Sequence, residues 1–180
     1  MTSVADQVIA GLDLPVTRQL ERSELIRLVE HVAFRRELWA PHLDVTATGR
    51  TYASLHRDAN VDVWAIFWRP ENDTGWHDHD TSSGAVHVID GSLEEHALLV
   101  ARPERRVRYA GGTSFSFDPS HIHRLTCAEP AAVSIHAYSP PLWRLGQYSV
   151  DDDGALHRVS VSYADELRPL EATAVLAAAA

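Results

Sequence analysis

The chain has 180 residues, a length that suits one domain and lets it bury roughly 70% of its extended surface on folding. Apolar residues make up 45% and charged residues 23%, which excludes a disordered chain, and no run reaches the ~18 apolar residues of a membrane-spanning helix. The net charge of −9 argues against a nucleic-acid partner, whose phosphates need a basic surface, and against an anionic membrane.

The opening MTSVADQVIAGLDLP has no basic region ahead of an apolar stretch, so no secretory leader is predicted. The single cysteine, Cys127, excludes an internal disulfide framework and reads as a small buried filler. Both readings fit a reducing cytoplasm. Residues 17–38 place Leu25, Leu28, Val29 and Val32 at helical spacing with no Gly or Pro among them, which predicts a helix ended by Pro41.

From residue 50 the texture changes to short β-rich runs separated by Gly, Pro, Asp or Asn. VDVWAIFW (61–68) predicts a buried strand and GAVHVID (84–90) the next, closed by Gly91. SLEEHALLVA, RRVRYA, TSFSF, HRLTC, AVSIHAYS, LGQYSV and ALHRVSVSY follow. Many short strands at this spacing predict a mainly β fold, an antiparallel barrel or sandwich. The expected organisation is a helical segment over 1–49 packed on a barrel over 50–165, then a loosely held tail over 166–180.

Eleven histidines are many for this length. His77 and His79 in TGWHDHDT stand at i and i+2, so on an extended backbone both point one way. Two imidazoles on one face make half of a site for zinc, iron, copper or nickel. A third ligand must come from another strand, and SFDPSHIHRL offers two, His121 and His123. Ser134, His136 and Tyr138 in AVSIHAYSPP share one face of their run. Alternation alone reads them as the solvated face of an edge strand; beside a metal they would orient groups by hydrogen bonds. His87 reads as a satisfied core histidine and Trp64 as core packing.

HDH near the start, Gly91 closing a strand, HRL, and then SIHAYSPP together resemble the cysteine dioxygenase family of thiol dioxygenases, which has the cupin fold. Trp68, nine residues before His77, stands where that family carries a tryptophan, and the likeness covers roughly residues 20 to 150. The resemblance implies a single-domain cupin, an antiparallel β-barrel or jelly-roll. It implies Fe(II) held by His77, His79 and His123, with O2 as co-substrate and a sulfinate as product. It makes Ser134, His136 and Tyr138 a relay in which Ser134 orients His136 and His136 orients the Tyr138 phenol. Gly84 falls where other cupins carry a ligating glutamate, leaving three neutral ligands, the full +2 charge on the metal and a preference for thiolate. Gly84 also falls where some members crosslink a cysteine to the tyrosine, so no crosslink is expected.

The family's carboxylate-binding arginine comes from the strand before Trp68, here GRTYASLHRD. Tyr52, Ala53 and Ser54 occupy that zone with Arg50 and Arg57 near it, and Arg50, Tyr52 and Trp68 are the expected substrate-binding residues. Arg50 and Arg57 each read first as surface residues, facing opposite sides of a regular strand. Arg69 and Arg124 face away by alternation. Aromatic faces at Trp68, Trp64 or Trp76 would suit a cationic thiol such as ergothioneine. The substrate is therefore read as cysteine-like, or as a betaine thiol. The partner is a small thiol, with no nucleic acid or membrane, and the chain is a monomer or homodimer. A metal-dependent cupin acting on a non-thiol and a non-catalytic ligand-binding cupin stand as alternatives.

Overall fold

The computed structural model describes residues 4–162 apart from residues 16, 152 and 154; the tail expected over 166–180 lies outside the described residues. Two helices come first, α1 (Val4–Ile9) and α2 (Arg22–Phe34), followed by two single 3₁₀ turns. Eleven strands follow: β1 (Thr51–Arg57), β2 (Asp62–Trp68), β3 (Trp76–Asp78), β4 (Ser83–Asp90), β5 (Ser92–Ala97) and β6 (Arg105–Ala110), then β7 (Thr113–Phe117), β8 (His123–Cys127), β9 (Ala132–Ser139), β10 (Arg144–Val150) and β11 (Leu156–Ser162). No helix among the described residues is long and apolar enough to cross a membrane.

The helix expected from residue 17 begins five residues later. The Leu20 N–H is taken by Ser139 Oγ on β9 at 2.8 Å, which ties the approaching chain to the sheet. Glu24 then turns back to accept the Glu21 N–H at 2.7 Å, held in place by Arg18, and α2 starts there. The run 92–101 is strand only to Ala97, because the Leu98 N–H leaves for the Ile122 carbonyl and the chain turns.

The strands form two antiparallel sheets, in the orders β1-β2-β9-β4-β7 and β11-β10-β3-β8-β5-β6. They are two layers of a jelly-roll, and no closed barrel forms. Period-two alternation divides the strands of the first sheet between two cores. Val63, Ala65 and Phe67 of β2, with Val133, Ile135 and Ala137 of β9, pack against α1 and α2. Trp64, Ile66, Trp68 and Tyr138 point the other way, where they meet Leu93, Leu125 and Leu145 of the second sheet. That is why β2 and β9 read as continuously buried rather than alternating. The edge-strand reading of residues 132–139 fails on this point: β9 is the middle strand of its sheet, flanked by β2 and β4.

Candidate metal centre

His77 sits on β3 and His123 opens β8, and the two stand directly opposite each other in the ladder. His79 follows β3 by one residue, at a turn closed by the Ser82 N–H donating to the His79 carbonyl. Ring centroids of the three lie 4.8, 4.8 and 5.1 Å apart. One ligating nitrogen from each falls within a sphere of mutual distances no larger than 4.8 Å. All three rings are buried. Burial lowers the pKa of His79 well below its ordinary value, helped by the charges of neighbouring histidines. Burial likewise pushes His123 down to about 3, against the opposing hydrogen bond to Glu95. Both rings therefore present the unprotonated form a metal requires.

The residues fit a metal ion. His79 Nδ1 and His123 Nε2 are buried with no hydrogen-bond partner among the described residues, a costly state that coordination would relieve. Two outward ring nitrogens are accounted for: His77 Nδ1 donates to the Gly75 carbonyl at 3.0 Å, and His123 Nδ1 donates to Glu95 Oε1 at 2.9 Å. His121 is the residue that does not join. Its Nε2 lies 2.9 Å from the same Glu95 oxygen, behind His123.

Asp78, between the first two ligands, points to the opposite face of β3. It accepts the Arg158 guanidinium at 2.7 and 2.9 Å, the Tyr148 hydroxyl and the Gly146 N–H. Burial would raise its carboxyl, but these donors outweigh burial and hold it well below the carboxylate range. A Cβ at Gly146 would lie 2.2 Å from Arg158 Nε and 2.6 Å from Asp78 Oδ2, so glycine here leaves room for the Arg158–Asp78 ion pair. The hairpin β10–β11 thus clamps the back of the strand that carries His77.

One cavity opens on the three imidazoles, and Arg50, Tyr52, Trp64, Trp68, Phe117, Tyr138 and Leu142 are among its walls. No carboxylate lines it among the described residues. Ser134, His136 and Tyr138 form a buried chain: Ser134 Oγ lies 2.8 Å from His136 Nε2, and His136 Nδ1 lies 3.2 Å from the Tyr138 oxygen. Trp68 adds a member at the far end, its indole N–H donating to Ser134 Oγ at 2.8 Å. Tyr138 in turn stacks on His79, with centroids 5.2 Å apart. Burial first, then the charges of His123 and Arg50, push His136 down to about 3.

Arg50, Tyr52 and Trp68, the expected substrate-binding residues, all line the cavity. Tyr52 pairs with Ile66 across the β1–β2 ladder, and the same alternation carries Arg50 to the face of Trp68. Its guanidinium sits 5.5 Å over the Trp68 ring. Trp64 is both core and cavity wall, meeting Tyr52 edge-on. Arg57 is placed by a bulge between Ser54 and His56, which breaks the alternation and sets it opposite Asp62. It binds the Asp62 carboxylate and the Leu142 carbonyl rather than lining the cavity. Arg69 and Arg124 are bound by Ala47 and Asp73, away from the cavity. Trp76 also faces away, meeting His96 and Arg124. His87 is a satisfied core histidine, 2.8 Å from Ser114 Oγ.

Glu95 and Phe117 were not among the expected site residues. Glu95 had a signal: Leu93, Glu95 and Ala97 alternate on one strand face, and a carboxylate between two buried apolar residues needs a partner. Phe117 stacks on His79 with centroids 4.5 Å apart, and its ring fills the space where a Gly84 side chain would stand, 2.3 Å from a built Cβ. Nothing in the sequence signals that contact.

A comparison with curated proteins gives no match. Among solved structures, KdgF from a Halomonas species is 18% identical over 54% of this chain and 85% of its own, with a TM-score of 0.45. TT1209 from Thermus thermophilus is 11% identical over 57% and 93%, with a TM-score of 0.49. A Klebsiella pneumoniae protein with a double-stranded β-helix domain is 12% identical over 67% and 92%, also at 0.49. The profile of cysteine dioxygenase type I matches residues 2–151, a span that takes in the helices, the three imidazoles and the whole Trp68-to-Tyr138 chain. The chain belongs to the cysteine dioxygenase type I family.

Proposed function

We propose that this protein is a non-haem Fe(II)-dependent thiol dioxygenase that adds both atoms of O2 to the sulfur of a small carboxylate-bearing thiol, giving a sulfinate. The reading rests on family membership together with one observation: three imidazoles and a hydrogen-bonded tyrosine face a single cavity that no carboxylate lines among the described residues. Iron held by His77, His79 and His123 would bring thiolate and oxygen together on one centre.

The residues' own work follows from their hydrogens. An indole N–H can only donate, so Trp68 occupies a lone pair of Ser134. The buried Ser134 hydrogen needs an acceptor of its own, and His136 Nε2 stands 2.8 Å away to take it. That leaves His136 with its hydrogen on Nδ1, donating to the Tyr138 oxygen. Tyr138 keeps its own hydrogen, and from the cavity wall its hydroxyl would stabilise charge developing on oxygen or sulfur. In this state His136 needs no charge, in keeping with its lowered pKa.

Arg50 supports the carboxylate. A guanidinium on the cavity wall offers a bidentate grip on such a group. It also occupies the Trp68 face that a quaternary ammonium would need, which weighs against the betaine reading.

The test is oxygen uptake by protein reloaded with Fe(II), against cysteine, cysteamine, 3-mercaptopropionate, mercaptosuccinate and ergothioneine. The expected result is uptake with cysteine, 3-mercaptopropionate or mercaptosuccinate and not with cysteamine or ergothioneine, one sulfinate formed per O2, and loss of both in His123→Ala. Iron-loaded protein that takes up no oxygen with any of them overturns the reading.

A further inference from the structure

Glu95 is a carboxylate 1% exposed, and the relay makes no use of it. Burying an ionised carboxylate costs several kcal/mol unless donors surround it. Both oxygens here are supplied. Oε1 accepts from His123 Nδ1 and from His121 Nε2, each at 2.9 Å. Oε2 accepts from Arg105 at 3.2 Å and from the Tyr109 hydroxyl at 3.4 Å. The anchoring is long-range, since β5 pairs with β8 and sets Ala97 opposite His123 and Leu125 opposite Glu95.

We infer that Glu95 is a positioning residue of the metal centre: it fixes His123 as the Nδ1–H tautomer, aims Nε2 inward, and lends that one ligand anionic character. The aim follows from the partners. With Nδ1 committed to the carboxylate, the remaining lone pair is on Nε2, the buried nitrogen that has no hydrogen-bond partner among the described residues. The electronic effect follows from sharing a proton with a carboxylate, which makes the imidazole a stronger donor to a metal. Three histidines here are thus not three equivalent neutral ligands. His77 leans on a backbone carbonyl and His123 on a full negative charge. His121 has a part too: by donating to the same oxygen, it limits how strongly that oxygen draws the His123 proton.

The inference rests on the three-histidine metal centre and not on the thiol chemistry, so its test uses neither thiol nor oxygen. In zinc-loaded wild-type protein, long-range ¹H–¹⁵N spectra should show His123 protonated on Nδ1 and metal-shifted on Nε2. His123 bare on Nδ1, or a second zinc held between Glu95, His121 and His123, overturns the inference. In Glu95→Gln, folded by circular dichroism, Co(II) should bind about 10–100-fold more weakly, and the Fe(III)/Fe(II) midpoint should move to a more positive value. Affinity within twofold of wild type, with the midpoint unmoved, overturns it. If Glu95→Gln does not fold, the wild-type spectrum still decides. Absence of oxygen uptake with every thiol would sink the dioxygenase reading and leave these results standing.

Discussion

The indole N–H of Trp68 donates to Ser134 Oγ at 2.8 Å, and this bond holds the Ser134 hydroxyl where its hydrogen meets His136 Nε2. Without it, the Ser134 hydroxyl is free to rotate away from His136 Nε2, and Tyr138 could then turn its hydrogen back onto His136. Trp68→Phe keeps an aromatic ring but removes the donor. The expected result is a fall in kcat toward that of Tyr138→Phe, roughly 100-fold, with iron content unchanged. Steady-state kinetics with parallel iron assay checks it; a variant at wild-type kcat would show that the Ser134 contact does not orient the chain.

Arg50 reaches the cavity only because Tyr52 and Ile66 are paired in register, one step along from Trp68. Charge-assisted hydrogen bonds contribute about 1.5–3 kcal/mol. Arg50→Met should therefore raise KM for carboxylate-bearing thiols by roughly 10–150-fold while changing KM for cysteamine, which has no carboxylate, far less. The comparison of the two KM values is the measurement. Equal effects on both thiols would mean that Arg50 shapes the cavity rather than binding a carboxylate.

The sequence disclosed what period two can disclose. Alternation placed His77 with His79, and Ser134 with His136 and Tyr138, and the structure brings His77, His79, His136 and Tyr138 to one cavity with Ser134 bonded to His136. It failed where regularity failed. The bulge between Ser54 and His56 turned Arg57 to a face that counting does not predict. A serine on β9 captured the Leu20 N–H and shortened the first helix. The choice between His121 and His123 was not legible from spacing, because both are offered at i and i+2. In the fold Glu95, 26 residues before His121, accepts from both rings through a pairing of β5 with β8 that no local pattern states, while only His123 stands beside His77 and His79. Phe117 was hidden for the same reason, since its importance lies in the empty side-chain position of Gly84 opposite it.

His136 makes the stability of the metal-free protein depend on pH. Its folded pKa, pushed down by burial and by the charges of His123, Arg50 and His77, is about 3, against an ordinary 6.5. Between those values the unfolded chain takes up a proton that the native ring refuses. Native stability is thus complete above pH 6.5 and is lost as pH falls toward 3, with a slope of at most about 1.4 kcal/mol per pH unit from this residue. Urea unfolding of apo-protein from pH 7 to 4 should show that decline, and His136→Phe should show a shallower one. The same slope in both proteins would place the titration elsewhere.

Gly84 and Phe117 should behave as one unit. A methyl at Gly84 would stand 2.3 Å from two Phe117 ring carbons, and that ring is stacked on His79. Small-to-large substitution in a filled core costs about 1–3 kcal/mol, because the neighbours must shift. Here the shift is transmitted to a metal ligand, so Gly84→Ala should lower both the melting temperature and the affinity for Co(II). Phe117→Leu makes room, and the double variant should recover part of both losses, giving a coupling of about 0.5–3 kcal/mol in the cycle. Additive effects on stability and metal affinity would mean that the ring moves aside freely and that glycine at 84 is not required by Phe117.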